Sequence, residues 1–337
     1  MAYSGISLVT GAAGFLGSHV VEYLVKKGVR VRATARPRKD ISFFERLGVE
    51  YVGADLSKPA TLLPLFDGNV DRIFHLGAIC NLSTPYEQLY PINVNGVREI
   101  TRLALAHKVK KFVHVTSTSV YGYYAGTPYR ETDPRHPEND YGKSKRDGED
   151  VVFKRMEQGL DAIIVRPCTV YGPRCTDGAG KVFSRPSAIA AIPGSGNQRL
   201  SNIRVEDVAA ALYYLSEKQG ITGQVFNISE DTNPTLGKAL TLAAKIYGTK
   251  PPGIRLPLGL IKCLAWIDGK ISKFKGKIPD LEYEAVKYLY YDYVVDNSKL
   301  KETGFELQYP DFYASMAQLG EVYRKSNASK IFQKEAE

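Results

Sequence analysis

The chain has 337 residues, with 45 lysines and arginines against 36 aspartates and glutamates, a formal net charge of +9 and 44% hydrophobic residues. That length exceeds a minimal domain and fits one large α/β domain with a smaller companion. The basic balance admits anionic small molecules or an anionic surface as partners, but no basic run is interleaved with exposed aromatics, which argues against nucleic acid.

Ile6–Val9 predicts a buried strand, and apolar residues then recur at Leu16, Val20 and Leu24, with Val21 and Val25 beside them, at helical spacing. Between the two lies Thr10-Gly11-Ala12-Ala13-Gly14-Phe15-Leu16-Gly17. Gly11 permits a tight turn, Gly14 lets backbone amides approach a pyrophosphate and Gly17 lets the helix lie close to the sheet; Phe15 and Leu16 open a helix whose positive end faces the anion. Glycines fill many ordinary turns, so it is the strand before and the helix after that make this a dinucleotide fingerprint. Val29–Thr34 predicts a second strand, ending in Ala35-Arg36-Pro37-Arg38-Lys39. A site that prefers NAD carries an acid here to accept from the ribose 2′-hydroxyl, whereas cations suit a 2′-phosphate. NADP is therefore expected ahead of NAD, with Arg36 foremost and Arg38 or Lys39 helping. A solvated basic loop is the plain alternative.

Val49–Ala54 predicts a third strand closed by Asp55-Leu56, where Asp55 also suits a helix cap. Arg72–Leu76 predicts a fourth, followed by Gly77 and Ala78, and Tyr86–His107 a long helical segment. The fifth, Lys111–Thr116, ends in Ser117-Thr118-Ser119-Val120-Tyr121-Gly122. At the C-terminal edge of a parallel sheet such hydroxyls face the ligand crevice, where one can donate to a carbonyl oxygen that gains negative charge; the others can serve only the turn. Tyr141-Gly142-Lys143-Ser144-Lys145 then opens a helix with Lys145 one turn from Tyr141 on the same face. Tyr23 with Lys27 and Tyr283 with Lys287 share the spacing, but neither follows a hydroxyl-rich strand end. A free phenol titrates near about 10. The neighbouring ammonium and an oxidised nicotinamide are expected to depress that value, fitting Tyr141 to give or take a proton at neutral pH.

Asp161–Arg166 predicts a sixth strand leading into Pro167-Cys168-Thr169-Val170-Tyr171-Gly172-Pro173. Cys168 is expected to pack rather than react, and the four cysteines form no CxxC pair, which favours a reduced, cytoplasmic setting. No signal peptide and no metal site are expected. Arg204-Val205-Glu206-Asp207 opens a helix through Leu215, and Gln224–Ile228 rejoins the sheet. A helix through Tyr247 and the Pro251-Pro252 connector precede an apolar stretch, Leu256–Ile267, that Pro257 and Lys262 interrupt and that is too short to span a bilayer. Leu260, Leu264 and Trp266 either line an apolar pocket or pack a small domain, and the lysines around them (262, 270, 273, 275 and 277) make membrane contact at most peripheral.

Taken together, the Thr10–Gly17 turn, Asp55-Leu56, Ser117, Tyr141 with Lys145, and Arg166–Pro173 resemble the extended short-chain dehydrogenase/reductase superfamily, its epimerase/dehydratase, dihydroflavonol-reductase-like and 3β-hydroxysteroid-dehydrogenase-like members included. The resemblance implies an α/β fold, a Rossmann-type doubly wound parallel sheet with a smaller, mixed C-terminal substrate domain. Residues 1–170 plus about 204–230 would bind the dinucleotide, about 171–203 plus 231–325 the substrate, and 326–337 would form a frayed tail. It places Ser117, Tyr141 and Lys145 in catalysis. Asp55 and Leu56 would lie at the adenine, Leu76, Gly77 and Ala78 at the ribose and pyrophosphate, Lys145 at the ribose, and Pro167, Thr169 and Val170 under the nicotinamide. Asn95 would brace the central strands, Gly77 would change little sterically from the usual alanine, and a homodimer would form through 86–107 and 141–158.

The function expected first is NADP-dependent hydride transfer to or from a ketone or secondary alcohol of a mostly apolar small molecule. A nucleotide-sugar 4-epimerase or 4-ketoreductase is the alternative. Thr118 and Ser119 stand where dehydratases carry Asp-Glu, and Arg199-Leu200-Ser201-Asn202 departs from the Arg-Asp of many sugar-nucleotide enzymes, although Arg174 or Arg199 could still meet a phosphate. A non-catalytic NADP sensor ranks last because Tyr141 and Lys145 are both present.

Overall fold

The computed structural model describes residues 4–37, 40–123, 126–176, 178–184, 191–275, 279 and 281–334. In chain order its strands are β1 (Ile6–Thr10), β2 (Val31–Ala35), β3 (Glu50–Gly53), β4 (Val70–His75), β5 (Lys111–Val115), β6 (Ala162–Pro167), β7 (Thr169–Tyr171), β8 (Ala191–Pro193), β9 (Asn202–Arg204), β10 (Val225–Ile228) and β11 (Ile254–Leu256). The helices are α1 (Phe15–Lys26), α2 (Ser42–Arg46), α3 (Tyr86–Tyr90), α4 (Val97–Ala106), α5 (Asp140–Glu157), α6 (Val205–Glu217), α7 (Leu236–Ile246), α8 (Leu258–Phe274), α9 (Tyr283–Lys287), α10 (Ser298–Glu302) and α11 (Phe312–Lys334).

Seven strands form one parallel sheet in the order β10-β6-β5-β4-β1-β2-β3. Strands β1, β4, β5 and β6 are buried along their length, as in a sheet covered on both faces, β4 and β5 even at Asp71, Arg72, His75, Lys111 and His114. On one face Val20, Val21 and Leu24 of α1 and Val208, Leu212 and Leu215 of α6 pack with Val9, Phe74 and Val113. On the other, Val97, Ile100 and Ala104 of α4 and Val152 of α5 pack with Leu8, Ile73 and Phe112. The fold is thus a doubly wound α/β sheet, and the chain reverses its lateral direction between β1 and β4. Such a switch point opens a crevice at the C-terminal strand ends, beyond Thr10, His75 and Val115.

Outside the sheet, Tyr171, Phe183, Leu240, Phe312 and Met316 gather in a third apolar cluster, and Ile261, Ala265 and Val286 in a small fourth one. Two short parallel pairs, β7 with β9 and β8 with β11, complete this region.

Two predicted elements differ: the segment expected as a frayed tail from 326 continues α11 as far as Lys334, and a long helix is interrupted. The segment expected as a continuous helix over 86–107 is broken by a widened π-helical turn, Pro91–Gly96, between α3 and α4. A turn of this kind inserts a residue into the helical repeat and rotates every side chain after it.

Candidate active site

The crevice begins at the turn after β1. Gly11 holds φ +67°, and a Cβ on Gly17 would stand 2.1 Å from the Gly11 carbonyl oxygen, so the helix and the turn touch through bare backbone. Thr10 Oγ1 accepts from Leu76 N at 3.2 Å and Gly77 N at 3.0 Å, tying the ends of β1 and β4 together. The N-terminus of α1 has no side-chain cap and no acid in its first turn, and Gly14 is exposed there. Uncapped amides at the positive end of a helix suit a pyrophosphate, so this chain's residues fit a dinucleotide.

Along the adenosine side, Arg36 is exposed at the end of β2 with its carbonyl held by the Tyr51 hydroxyl at 2.9 Å. Arg38 lies outside the described residues. Asp55 accepts from Ser57 N at 2.9 Å and Ser57 Oγ at 2.7 Å, and the Ser57 hydroxyl is the main reason its carboxyl sits below the usual value. Asp55 therefore caps its own turn. A Cβ added at Gly77 would meet the Leu56 δ-methyl at 2.6 Å, the free end of a side chain that can turn aside, and Thr10 Oγ1 at 3.2 Å. Leu76 and Ala78 are half-buried at the end of β4, while past the end of β6 Pro167 is buried and Thr169 and Val170 half-buried.

Ser117, Tyr141 and Lys145 meet beyond β5. Ser117 caps the 3-10 turn Thr118–Tyr121 by accepting from Ser119 N at 3.1 Å, its hydroxyl meets Ser119 Oγ at 3.1 Å, and it lies near enough to Tyr141 to favour the phenolate. Asn139 caps α5 through Gly142 N at 2.8 Å, which sets Tyr141 one residue inside the helix. Gly142 lets α5 press on that 3-10 turn, since a Cβ there would be 2.6 Å from the Ser119 carbonyl oxygen. Lys145 Nζ donates to the Val115 carbonyl at 3.0 Å.

The electrostatics differ from the expectation of a depressed phenol. Burial lifts Tyr141 well above its ordinary value and the Cys80 thiol, 3.8 Å from its hydroxyl, adds to the rise; the Ser117 hydroxyl pulls the other way. Burial also lowers Lys145, against the pull of Cys80 and Glu149. Cys168 is buried with its thiol pushed well up, as expected of a packed residue.

Several residues that build the site escaped the sequence reading. Asn93, not Asn95, braces the strand ends: it exchanges bonds with Ile79 N at 2.8 Å and Ile79 O at 3.1 Å and donates to Ser144 at 2.9 Å. Asn95 instead pairs with Arg98, two residues along the widened turn. Behind Lys145, Arg166 is buried against Glu149 at 2.9 and 2.7 Å and donates to the Tyr121 hydroxyl at 2.8 Å. Glu149 also accepts from Thr116 at 2.7 Å, next to Ser117. Its place one helical turn after Lys145 was the signal that could have found it.

The two arginines considered for a substrate phosphate are engaged elsewhere. Arg174 meets Glu22 at 2.7 Å and His19 at 2.9 Å, and Arg199 meets Asp292 at 2.8 Å.

Residues 7–229 match the NAD dependent epimerase/dehydratase family. The chain is 31% identical over 269 residues to a ceramide reductase of Caulobacter vibrioides, covering 78% of each chain. It is 26% identical over 294 residues to sterol demethylase protein B of Methylococcus capsulatus, covering 84% of this chain and 88% of that one. The crystal structure of UDP-glucose 4-epimerase with UDP-glucose from Thermotoga maritima superposes with a TM-score of 0.76 at 23% identity, over 95% of this chain and 99% of that one. The chain belongs to the NAD dependent epimerase/dehydratase family, within the extended short-chain dehydrogenase/reductase superfamily, and is an NAD(P)-dependent enzyme of oxidoreduction.

Proposed function

We propose that this enzyme is an NADP-dependent reductase or dehydrogenase of a ketone or secondary alcohol on a mostly apolar small molecule. Tyr141 moves the proton, Ser117 orients the carbonyl oxygen, and Lys145 holds the ribose and the local positive potential. The observation that carries the reading is the convergence of the Tyr141 and Ser117 hydroxyls with Lys145 at the end of β5, across β4 from the uncapped glycine turn of β1. When bound, the nicotinamide supplies hydride exchange with the carbinol carbon. The phenol, held protonated by burial, then donates to the oxygen in the reductive direction. Ser117, beside that phenol, supplies the second hydroxyl on which negative charge at the oxygen can rest.

Preference for NADP rests on Arg36, exposed beyond β2, and on the lack of an acid at that strand end. An apolar substrate is favoured over a nucleotide sugar because Arg174 and Arg199 are both committed to carboxylates. The ceramide reductase and the sterol demethylase protein B among the relatives bear names that agree with this choice. The test is a turnover screen with NADPH against hydroxysteroids, long-chain and aromatic ketones, and nucleotide sugars, paired with thermal shifts. Turnover of an apolar ketone supports the reading; stabilisation by a nucleoside diphosphate alone, with no ketone turned over, replaces it with the nucleotide-sugar enzyme.

A further inference from the structure

We propose that the outward face of α8 docks this protein on the surface of an anionic phospholipid bilayer. Leu260, Leu264, Ile267, Ile271 and Phe274 recur at heptad-like intervals along the helix, so they form one stripe, and they are exposed by 47, 44, 41, 46 and 94%. Single apolar residues on a surface need no explanation, but five on one helical face do. An adjoining face already has its partner: Ile261 and Ala265 pack on Val286 of α9. The stripe therefore adds nothing to the core.

Charge selects the partner. The only acid in α8, Asp268, is turned inward, where it accepts from Ser272 at 3.2 Å and from Leu281 N at 2.9 Å. Lys270 is exposed beside the stripe with its ammonium 5.5 Å from the Trp266 ring, and Trp266 is itself 56% exposed. Exposed Lys275 follows the helix, whereas Lys262 lies over Tyr283 of α9 at 5.4 Å, away from the stripe. Lysine stems can lie along an apolar face while their ammonium groups reach lipid phosphates, and tryptophan prefers that interfacial depth. The core of a protein interface, by contrast, is depleted of lysine. The net charge of +9 acts in the same direction. Among the described residues no helix is long and apolar enough to cross a membrane, so the contact is with the surface.

The segment packed behind α8, residues 281–288, borders the crevice. Glu282 accepts from Leu82 N at 2.8 Å, two residues past Cys80, and Asn139 donates to the Tyr288 hydroxyl at 2.9 Å, one residue before α5.

Cosedimentation of the full chain with vesicles of phosphatidylcholine alone, or mixed with phosphatidylglycerol, tests this without turnover, so its outcome is separate from that of the proposed redox reaction. Binding to the mixed vesicles is expected, weaker by at least about tenfold with phosphatidylcholine alone or in high salt. Leu264→Glu with Ile271→Glu should abolish it while NADPH binding and melting temperature persist, and Lys270→Glu with Lys275→Glu should weaken it by about tenfold or more. The proposal is overturned if the wild type stays in the supernatant, or if the variants sediment as it does. It is equally overturned if the Leu264/Ile271 pair converts a wild-type dimer to monomer while vesicles capture neither.

Discussion

At the scale of single residues, Tyr141 carries two opposing demands. Its burial favours the neutral phenol, which is the form needed to protonate a carbonyl oxygen and the wrong form to accept a proton from an alcohol. The reductive rate should accordingly vary little between about pH 6 and 8, whereas the oxidative rate should climb with pH over that range; steady-state kinetics in both directions read the difference. Tyr141→Phe should cut turnover by about 10²- to 10⁴-fold while leaving NADPH affinity close to wild type, measured by fluorescence titration. A cofactor sensor would keep its function in that variant. Arg36 makes its prediction through affinity alone. With its side chain exposed and its backbone clamped by Tyr51, Arg36→Ala should lower the NADPH preference over NADH by about tenfold without disturbing the fold, and equal affinity for both in the unaltered protein would refute the NADP reading.

Secondary-structure elements show what the sequence could and could not reveal. Apolar runs such as Ile6–Val9 and Ile163–Val165 are legible because a strand buried on both faces has little choice of residue, and the glycine turn is legible because backbone contact at Gly17 tolerates no side chain. The displacement from Asn95 to Asn93 was not, since the widened turn at Pro91–Gly96 changes the helical register without breaking the apolar pattern. Nor was the bond between α5 and β6, because Glu149 and Arg166 are 17 residues apart and only the fold makes them neighbours. That bond yields an element-scale prediction. Glu149→Gln leaves Arg166, 2% exposed, charged and short of its bidentate partner, and should cost about 3–5 kcal/mol in urea unfolding. Replacing both, Glu149→Leu with Arg166→Met, should recover a large part of that loss, because an apolar pair requires no compensation for a buried charge.

For the molecule as a whole, two buried groups with opposite shifts should shape the pH dependence of stability. Glu230 is held up at about 8, against 4.5 ordinarily, mainly by burial; its Oε1 accepts from the Tyr171 hydroxyl at 2.7 Å, and its buried Oε2 has no partner among the described residues. A carboxyl with a raised folded value binds its proton more tightly folded than unfolded. Its contribution is therefore complete below 4.5 and is lost as pH rises through about 8. His75, bonded through Nδ1 to Thr10 at 2.9 Å, is depressed to about 3 from 6.5 by burial and by Lys145. It favours the fold while both states are neutral, above 6.5, and that contribution drains as pH falls toward 3. His114, stacked on it at 5.5 Å, is shifted the same way. Stability should thus peak between about pH 5 and 7 and decline on both sides, His75 and His114 governing the acid limb and Glu230 the alkaline one. Glu230→Gln isolates the second limb. It keeps a neutral side chain of the same shape and removes the titration, so the variant should melt close to or a little below wild type at acid pH and gain on it as pH rises, flattening the decline from neutral to alkaline pH. A wild-type slope retained in that variant would assign the alkaline limb to other groups.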